Sequence, residues 1–207
     1  MKYIKKIPEE NKKYTEELLK TGWKKLKEPS LTTSMIISFP ISVLVIFLNI
    51  KYLQYFFSPL KEIMNNKGNG FVMEIKLGIW ELIFYLLMTI VFFILHEFVH
   101  LMLMPNFLKS ERTFWGMRAT YFFAFTEEEM SKFRMMTVLI APLALLSFIL
   151  PVFLNMLGLM NGFTVFLCIV NAGGSYLDVF FIILILFRIP NGSIVKNNGV
   201  VTFYKKI

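Results

Sequence analysis

The chain alternates between long apolar runs and short basic stretches. Residues 31–50 carry no charge over 20 positions, and a second apolar run covers 79–104, interrupted only by Glu81, His96, Glu97 and His100. A third spans 135–187, 53 residues with Asp178 as its one charged side chain. Crossing a bilayer core takes about 20 apolar helical residues. The third run is therefore two spans, divided by the turn signals Asn155, Gly158, Asn161 and Gly162. The pattern predicts an all-α polytopic membrane protein with four transmembrane helices, near 31–50, 79–104, 135–157 and 163–187. Residues 1–30 form an amphipathic N-terminal segment, 31–187 the membrane domain and 188–207 a tail. The first span has too long an apolar run, and too long a leader, for a cleaved signal peptide.

The polar stretches carry weaker signals. Residues 9–27 read as a helix with Tyr14, Leu18, Leu19, Gly22, Trp23 and Leu26 near one face. That face rests either on the inner leaflet or on the protein's own loops. The loop 51–78, with Asn65, Asn66, Gly68, Asn69 and Gly70, suggests no chemistry. Aromatic and Thr residues around Gly116 predict a short cytoplasmic β-hairpin over 112–125. Thr126-x-x-Glu129 reads as a capping box that starts the helix into the third span. Apolar runs flanking Asn198-Gly199 predict a small C-terminal hairpin.

Composition and charge sharpen this picture. Hydrophobic residues make up 56% of the 207 and charged residues 17%, which argues against both disorder and an ordinary soluble domain. The net charge of +8 follows from basic flanks lying against anionic headgroups, with no soluble aromatic-basic module for nucleic acid. With both termini and the 105–134 loop inside, eighteen Lys and Arg lie inside and four outside. The positive-inside rule then makes both termini cytoplasmic. The implied partners are the lipid bilayer and a membrane-protein or peptide substrate.

The rare residues carry the chemistry. The chain has two His, one Cys and, counted along its length, one Asp. A single Cys excludes an internal disulfide framework and a Cys-rich zinc site. His96-Glu97-Phe98-Val99-His100 is an H-E-x-x-H sequence within the second span. On a helix the two His project from one face, a turn apart, and both reach one metal ion. Zinc suits two imidazoles plus a carboxylate with one open position, and Glu97 beside that face is a candidate general base. Asp178 is the candidate third ligand. It lies 15 residues into its span, and His96 and His100 lie 17 and 21 residues into theirs. At about 1.5 Å per residue these depths match to within one or two turns. Asn171 and Ser175, seven and three residues before Asp178, are candidate substrate-binding groups, Asn171 as a donor to a carbonyl or oxyanion. Other readings stand beside these. A His–Asp pair can be structural or part of a proton path, Glu97 can pair with Arg118, and Gly173-Gly174 can be a helix-packing contact.

These motifs resemble bacterial zincin membrane peptidases known only by a domain of unknown function, which share a pattern with site-2-type intramembrane metalloproteases. The resemblance rests on His96-Glu97-x-x-His100, on Ser131-Lys-Phe-Arg134 leading to Ala141-Pro142-Leu143, and on Asn171-Ala-Gly-Gly-Ser-Tyr-Leu-Asp178. Gly22-Trp23, Glu28-Pro29 and Ser38-Phe-Pro40 extend it more weakly. It implies a three-helix core formed by spans two to four. It also implies Zn2+ held by His96, His100 and Asp178, with Glu97 as catalytic base. Two departures stand out: no Pro occurs in the Asn171 stretch, and Val179 follows Asp178 where a Gly is usual. The expected activity is zinc-dependent hydrolysis of peptide bonds near the cytoplasmic face of the bacterial membrane. The alternative is a non-catalytic zinc-binding partner of another membrane protein.

Overall fold

The computed structural model describes residues 1–65, 78–118 and 121–207. Asn66, Gly68, Asn69 and Gly70 of the 51–78 loop lie outside the described residues, as does the side chain of Arg118. In chain order the elements are β1 (Lys2–Tyr3), α1 (Lys12–Lys20), β2 (Lys24–Lys25), α2 (Leu31–Leu53), α3 (Ser58–Asn65), α4 (Ile79–Leu103), β3 (Thr113–Arg118), β4 (Tyr121–Thr126), β5 (Met130–Ser131) and α5 (Lys132–Pro142). A π-helical segment, Leu143–Ile149, follows, then α6 (Leu150–Met156), α7 (Gly162–Gly174), α8 (Tyr176–Arg188), β6 (Ser193–Asn198) and β7 (Val201–Lys206). The fold is mostly helical with small β-hairpins. Among the described residues, four helical stretches are long and apolar enough to cross a membrane: Leu31–Leu53, Ile79–Leu103, Lys132–Met156 and Gly162–Arg188. These fit a multi-pass membrane protein.

The chain divides into two units. The first comprises Met1–Ser38, Glu97–Ala141 and Leu177–Ile207; the second comprises Phe39–His96 and Pro142–Tyr176.

The first unit gathers both termini and the 105–134 segment around two small sheets. One has the order β1-β3-β4, with β1 parallel to β3 and β3 antiparallel to β4. The other has the order β2-β7-β6-β5, all antiparallel. This is more β-structure than two isolated hairpins, because each hairpin recruits a strand from the N-terminal segment. Gly116 lies inside β3, not at the hairpin turn as its central position in the motif suggested. A Cβ there would collide with the Ile4 carbonyl and the Phe123 ring, so the glycine admits the β1 backbone. Gly199 starts the C-terminal turn with φ of 55°, a conformation that glycine adopts without steric cost.

The N-terminal helix is shorter than 9–27. It ends at Lys20, and Gly22 at φ of 84° turns the chain into β2, which pairs with β7. Leu18 and Trp23 are buried against Phe203, and Leu26 against Leu184, Ile185, Ile189 and Val195. Those apolar side chains pack on the protein itself.

The helix into the third span also starts later than its sequence signal. Thr126 closes β4, and its Oγ1 accepts from Glu128 N–H in a local turn. The helix begins at Lys132, where Ser131 Oγ accepts the Arg134 N–H at 3.1 Å, the contact expected of an N-cap. Lys132 Nζ donates to the carbonyls of Leu186 and Ile189 and to Asn191 Oδ1. It thereby caps the carbonyl end of α8, where a cation is favoured.

In the second unit the third span is not a regular α-helix. Proline lacks an N–H, so a helix running through Pro142 loses one of its ladder bonds. The wider turns from Leu143 to Ile149 follow immediately. Side chains of α2 serve this loosened stretch: Asn49 Nδ2 donates to the Ser147 carbonyl and Tyr52 OH to the Phe148 carbonyl, both at 2.7 Å. Asn161 caps α7 through a reciprocal capping box with Thr164. The fourth span breaks at Ser175, between α7 and α8, so Asp178 lies in the first turn of α8 and not mid-helix. Gly173 lies where a Cβ would press to 2.9 Å on Ile46 Cδ1, which makes it a close-packing position.

Candidate metal centre

The H-E-x-x-H sequence lies in the last two turns of α4. The chain passes from one unit to the other within that helix, between His96 and Glu97. Helical spacing therefore sets where His96 stands relative to His100.

His100 is buried, and its Nδ1 lies 2.8 Å from the Val138 carbonyl of α5. A carbonyl only accepts, so Nδ1 carries a hydrogen and donates it to Val138. The ring's Nε2 lies 3.6 Å from Asp178 Oδ2. The depth match between the second and fourth spans thus corresponds to a side-chain pair. Asp178 reaches this position from the break at Ser175.

His96 Nδ1 lies 2.8 Å from Asn171 Oδ1. Asn171 is 1% exposed, and its Nδ2 donates to the Pro142 carbonyl at 3.1 Å and to Ser147 Oγ at 2.8 Å. Both amide hydrogens are engaged, which orients the amide oxygen toward His96. His96 therefore also donates through Nδ1–H, to Asn171 Oδ1. Asn171, expected as a substrate donor, here gives its amide hydrogens to Pro142 and Ser147. The buried hydroxyl of Ser175 donates to the Asn171 carbonyl at 2.8 Å, at the C-terminal end of α7.

Within the first unit His100 and Asp178 bring one imidazole and one carboxylate together, and His96 stands one helical turn before His100 on α4. Zinc bonds to nitrogen and oxygen are about 2.0–2.2 Å, so tetrahedral neighbours lie about 3.3 Å apart. The 3.6 Å between His100 and Asp178 is close to that separation. Two imidazoles and one carboxylate, each imidazole held through Nδ1, make a donor set that fits zinc.

Glu97 is held by the adjacent sheet. Its Oε2 accepts the Ala124 N–H of β4 at 2.8 Å. Trp115, which pairs with Ala124, gives its carbonyl to Ile4 on the opposite edge. The pair is therefore of the non-hydrogen-bonded kind, and the Ala124 N–H points outward from the sheet. The Ala124 and Val138 contacts are both made by backbone, which residue-type spacing does not register. Pro142, four residues after Val138, is the signal that could have found the second.

Four helical stretches long and apolar enough to cross a membrane, one of them carrying His96-Glu97-x-x-His100, fit a multi-pass membrane protein. Residues 89–194, half of the chain, match the family described as "Putative zincin peptidase", and the chain belongs to that family. The family implies zinc as the metal. No curated protein and no solved structure matches the chain.

Proposed function

We propose that the chain is a membrane-embedded zinc metallopeptidase that hydrolyses peptide bonds of membrane-protein substrates near the cytoplasmic face. The observation that carries this reading is the pairing of His100 with Asp178 at 3.6 Å, beside a glutamate and on a helix that also presents His96. His96, His100 and Asp178 would hold the metal. When bound, zinc supplies an acidified water and a Lewis-acid contact to the scissile carbonyl. Glu97 receives the proton of the attacking water on its carboxylate and passes it to the leaving amine nitrogen. The Ala124 N–H holds that carboxylate in place. A purely structural zinc site has no use for a carboxylate so positioned, which favours catalysis over a non-catalytic partner.

Beside the Ala124 N–H, which Glu97 occupies, the outer edge of β4 offers an extended peptide main-chain groups to pair with. This would bring a substrate, opened from helix to strand, beside Glu97. Segments 1–30, 105–134 and 188–207 share strands within one unit, which supports their lying on one side of the bilayer. The positive-inside rule assigns that side to the cytosol.

Metal analysis of the purified protein and of Glu97→Gln tests the proposal. Near-stoichiometric zinc in both, with peptide hydrolysis lost only in the variant, is the expected result. Zinc-free protein, or hydrolysis untouched by the substitution, overturns it.

A further inference from the structure

Both histidines present Nε2, and both are held through Nδ1. The two holding contacts converge on one residue. In an α-helix the carbonyl of residue i takes the N–H of residue i+4. For Val138 that residue is Pro142, which has no N–H. The helix cannot supply the usual donor to Val138, and His100 Nδ1 occupies that carbonyl at 2.8 Å. Pro142 also acts through its own carbonyl. That oxygen accepts one amide hydrogen of Asn171, and Ser147 Oγ, on the π-helical segment, accepts the other. The amide is thereby oriented with its oxygen on His96 Nδ1.

We propose that Pro142 is the positioning residue of the metal centre. By withholding an N–H it releases the Val138 carbonyl to His100. By offering a carbonyl it anchors the amide that orients His96. Both imidazoles are thus oriented through a donating Nδ1–H before any metal arrives. The consequence for zinc affinity rests on the metallopeptidase reading; the orientation itself does not.

The chain has two histidines, so 15N-histidine labelling of the full-length protein in lipid nanodiscs yields two rings to follow. Metal-free samples at about pH 9, above the ordinary imidazole range, report the neutral tautomers. Wild-type protein should show both rings as Nδ1–H. Pro142→Ala returns a competing donor to Val138. The His100 ring should then move to a tautomer mixture while His96 keeps its form, and zinc affinity should fall about tenfold or more. Asn171→Leu should do the reverse, shifting His96 and leaving His100. Asn171→Asp, which retains an acceptor, should restore His96. A general loss of fold would disturb both rings together in every variant, so the reciprocal pattern separates positioning from collapse.

Pro142→Ala with both rings unchanged and zinc affinity within about twofold of wild type overturns the assignment. Mixed tautomers in zinc-binding wild-type protein also overturn it, and leave the metal reading intact. Two Nδ1–H rings in wild-type protein that binds no zinc support the assignment and overturn the metal reading.

Discussion

Glu97 Oε2 accepts the backbone N–H of Ala124 at 2.8 Å, which ties the H-E-x-x-H helix to the outer edge of the β3–β4 hairpin. The proposed general base is held by a main-chain group from a separate element. The hairpin is therefore part of the site's construction as well as a candidate surface for substrate.

Replacing Glu97 with Gln preserves the size of the side chain and its carbonyl acceptor for Ala124, and removes the proton acceptor. Zinc content should be unchanged. Hydrolysis should fall by about 10²–10⁴-fold, the range for loss of a general base. Parallel metal analysis and a cleavage assay on reconstituted protein check this. A variant that retains full turnover removes Glu97 from the mechanism.

Ala124→Pro isolates the contact with Glu97. Because the Ala124 N–H points away from β3, proline there removes no hairpin bond, and edge positions tolerate it. The sheet and the metal should be retained while activity drops about tenfold or more, the effect of losing one hydrogen bond to a charged group. Phe125→Pro is the contrast, because its N–H faces β3 and its loss should lower the melting temperature. Equal activity in wild type and Ala124→Pro would separate the hairpin from catalysis.

The four apolar helices and the three candidate ligands were legible in the sequence because they depend on residue type and local period. Hydropathy locates spans, and i,i+4 spacing places His96 and His100 on one face. Asp178 was readable from its depth, with the second and fourth spans expected to run the same way, and from being the one Asp in the chain. What was not legible depends on long-range backbone partners. Nothing near Thr126 says that β5 will pair with β6 and delay the helix to Lys132. Nothing near Lys24 says that it will form a strand with Tyr204. Asn171 was read as a substrate donor because its acceptors, on Pro142 and Ser147, come from another helix.

Asp178 should be required for metal binding in a way that stability alone reveals. A ligand that binds only the folded protein at about 100 times its Kd adds about 2.7 kcal/mol. Zinc added to chelator-treated wild-type protein should therefore raise its melting temperature and restore hydrolysis. Asp178→Ala, which leaves His96 and His100 without their carboxylate partner, should show neither effect. A zinc-dependent shift of equal size in both proteins would place the metal elsewhere.

Glu28 makes a prediction outside the membrane-spanning segments. Burial pushes its carboxyl above the ordinary value of 4.5, outweighing the hydrogen bonds from Thr202 and the charge of Lys25. A carboxyl with a raised folded pKa binds more protons in the folded than in the unfolded state between those two values. Its contribution to stability is thus greatest at low pH and is lost as pH rises through the folded pKa. Glu28→Gln keeps a carbonyl oxygen for the Thr202 N–H, which Glu28 Oε1 accepts at 3.1 Å, and cannot ionise. The variant should melt above wild type at neutral pH, and the two should converge as pH falls toward 4.5. Melting curves of both proteins across that range provide the measurement. Parallel curves, or a Gln variant that loses ground as pH rises, would show that burial of Glu28 carries no ionisation penalty.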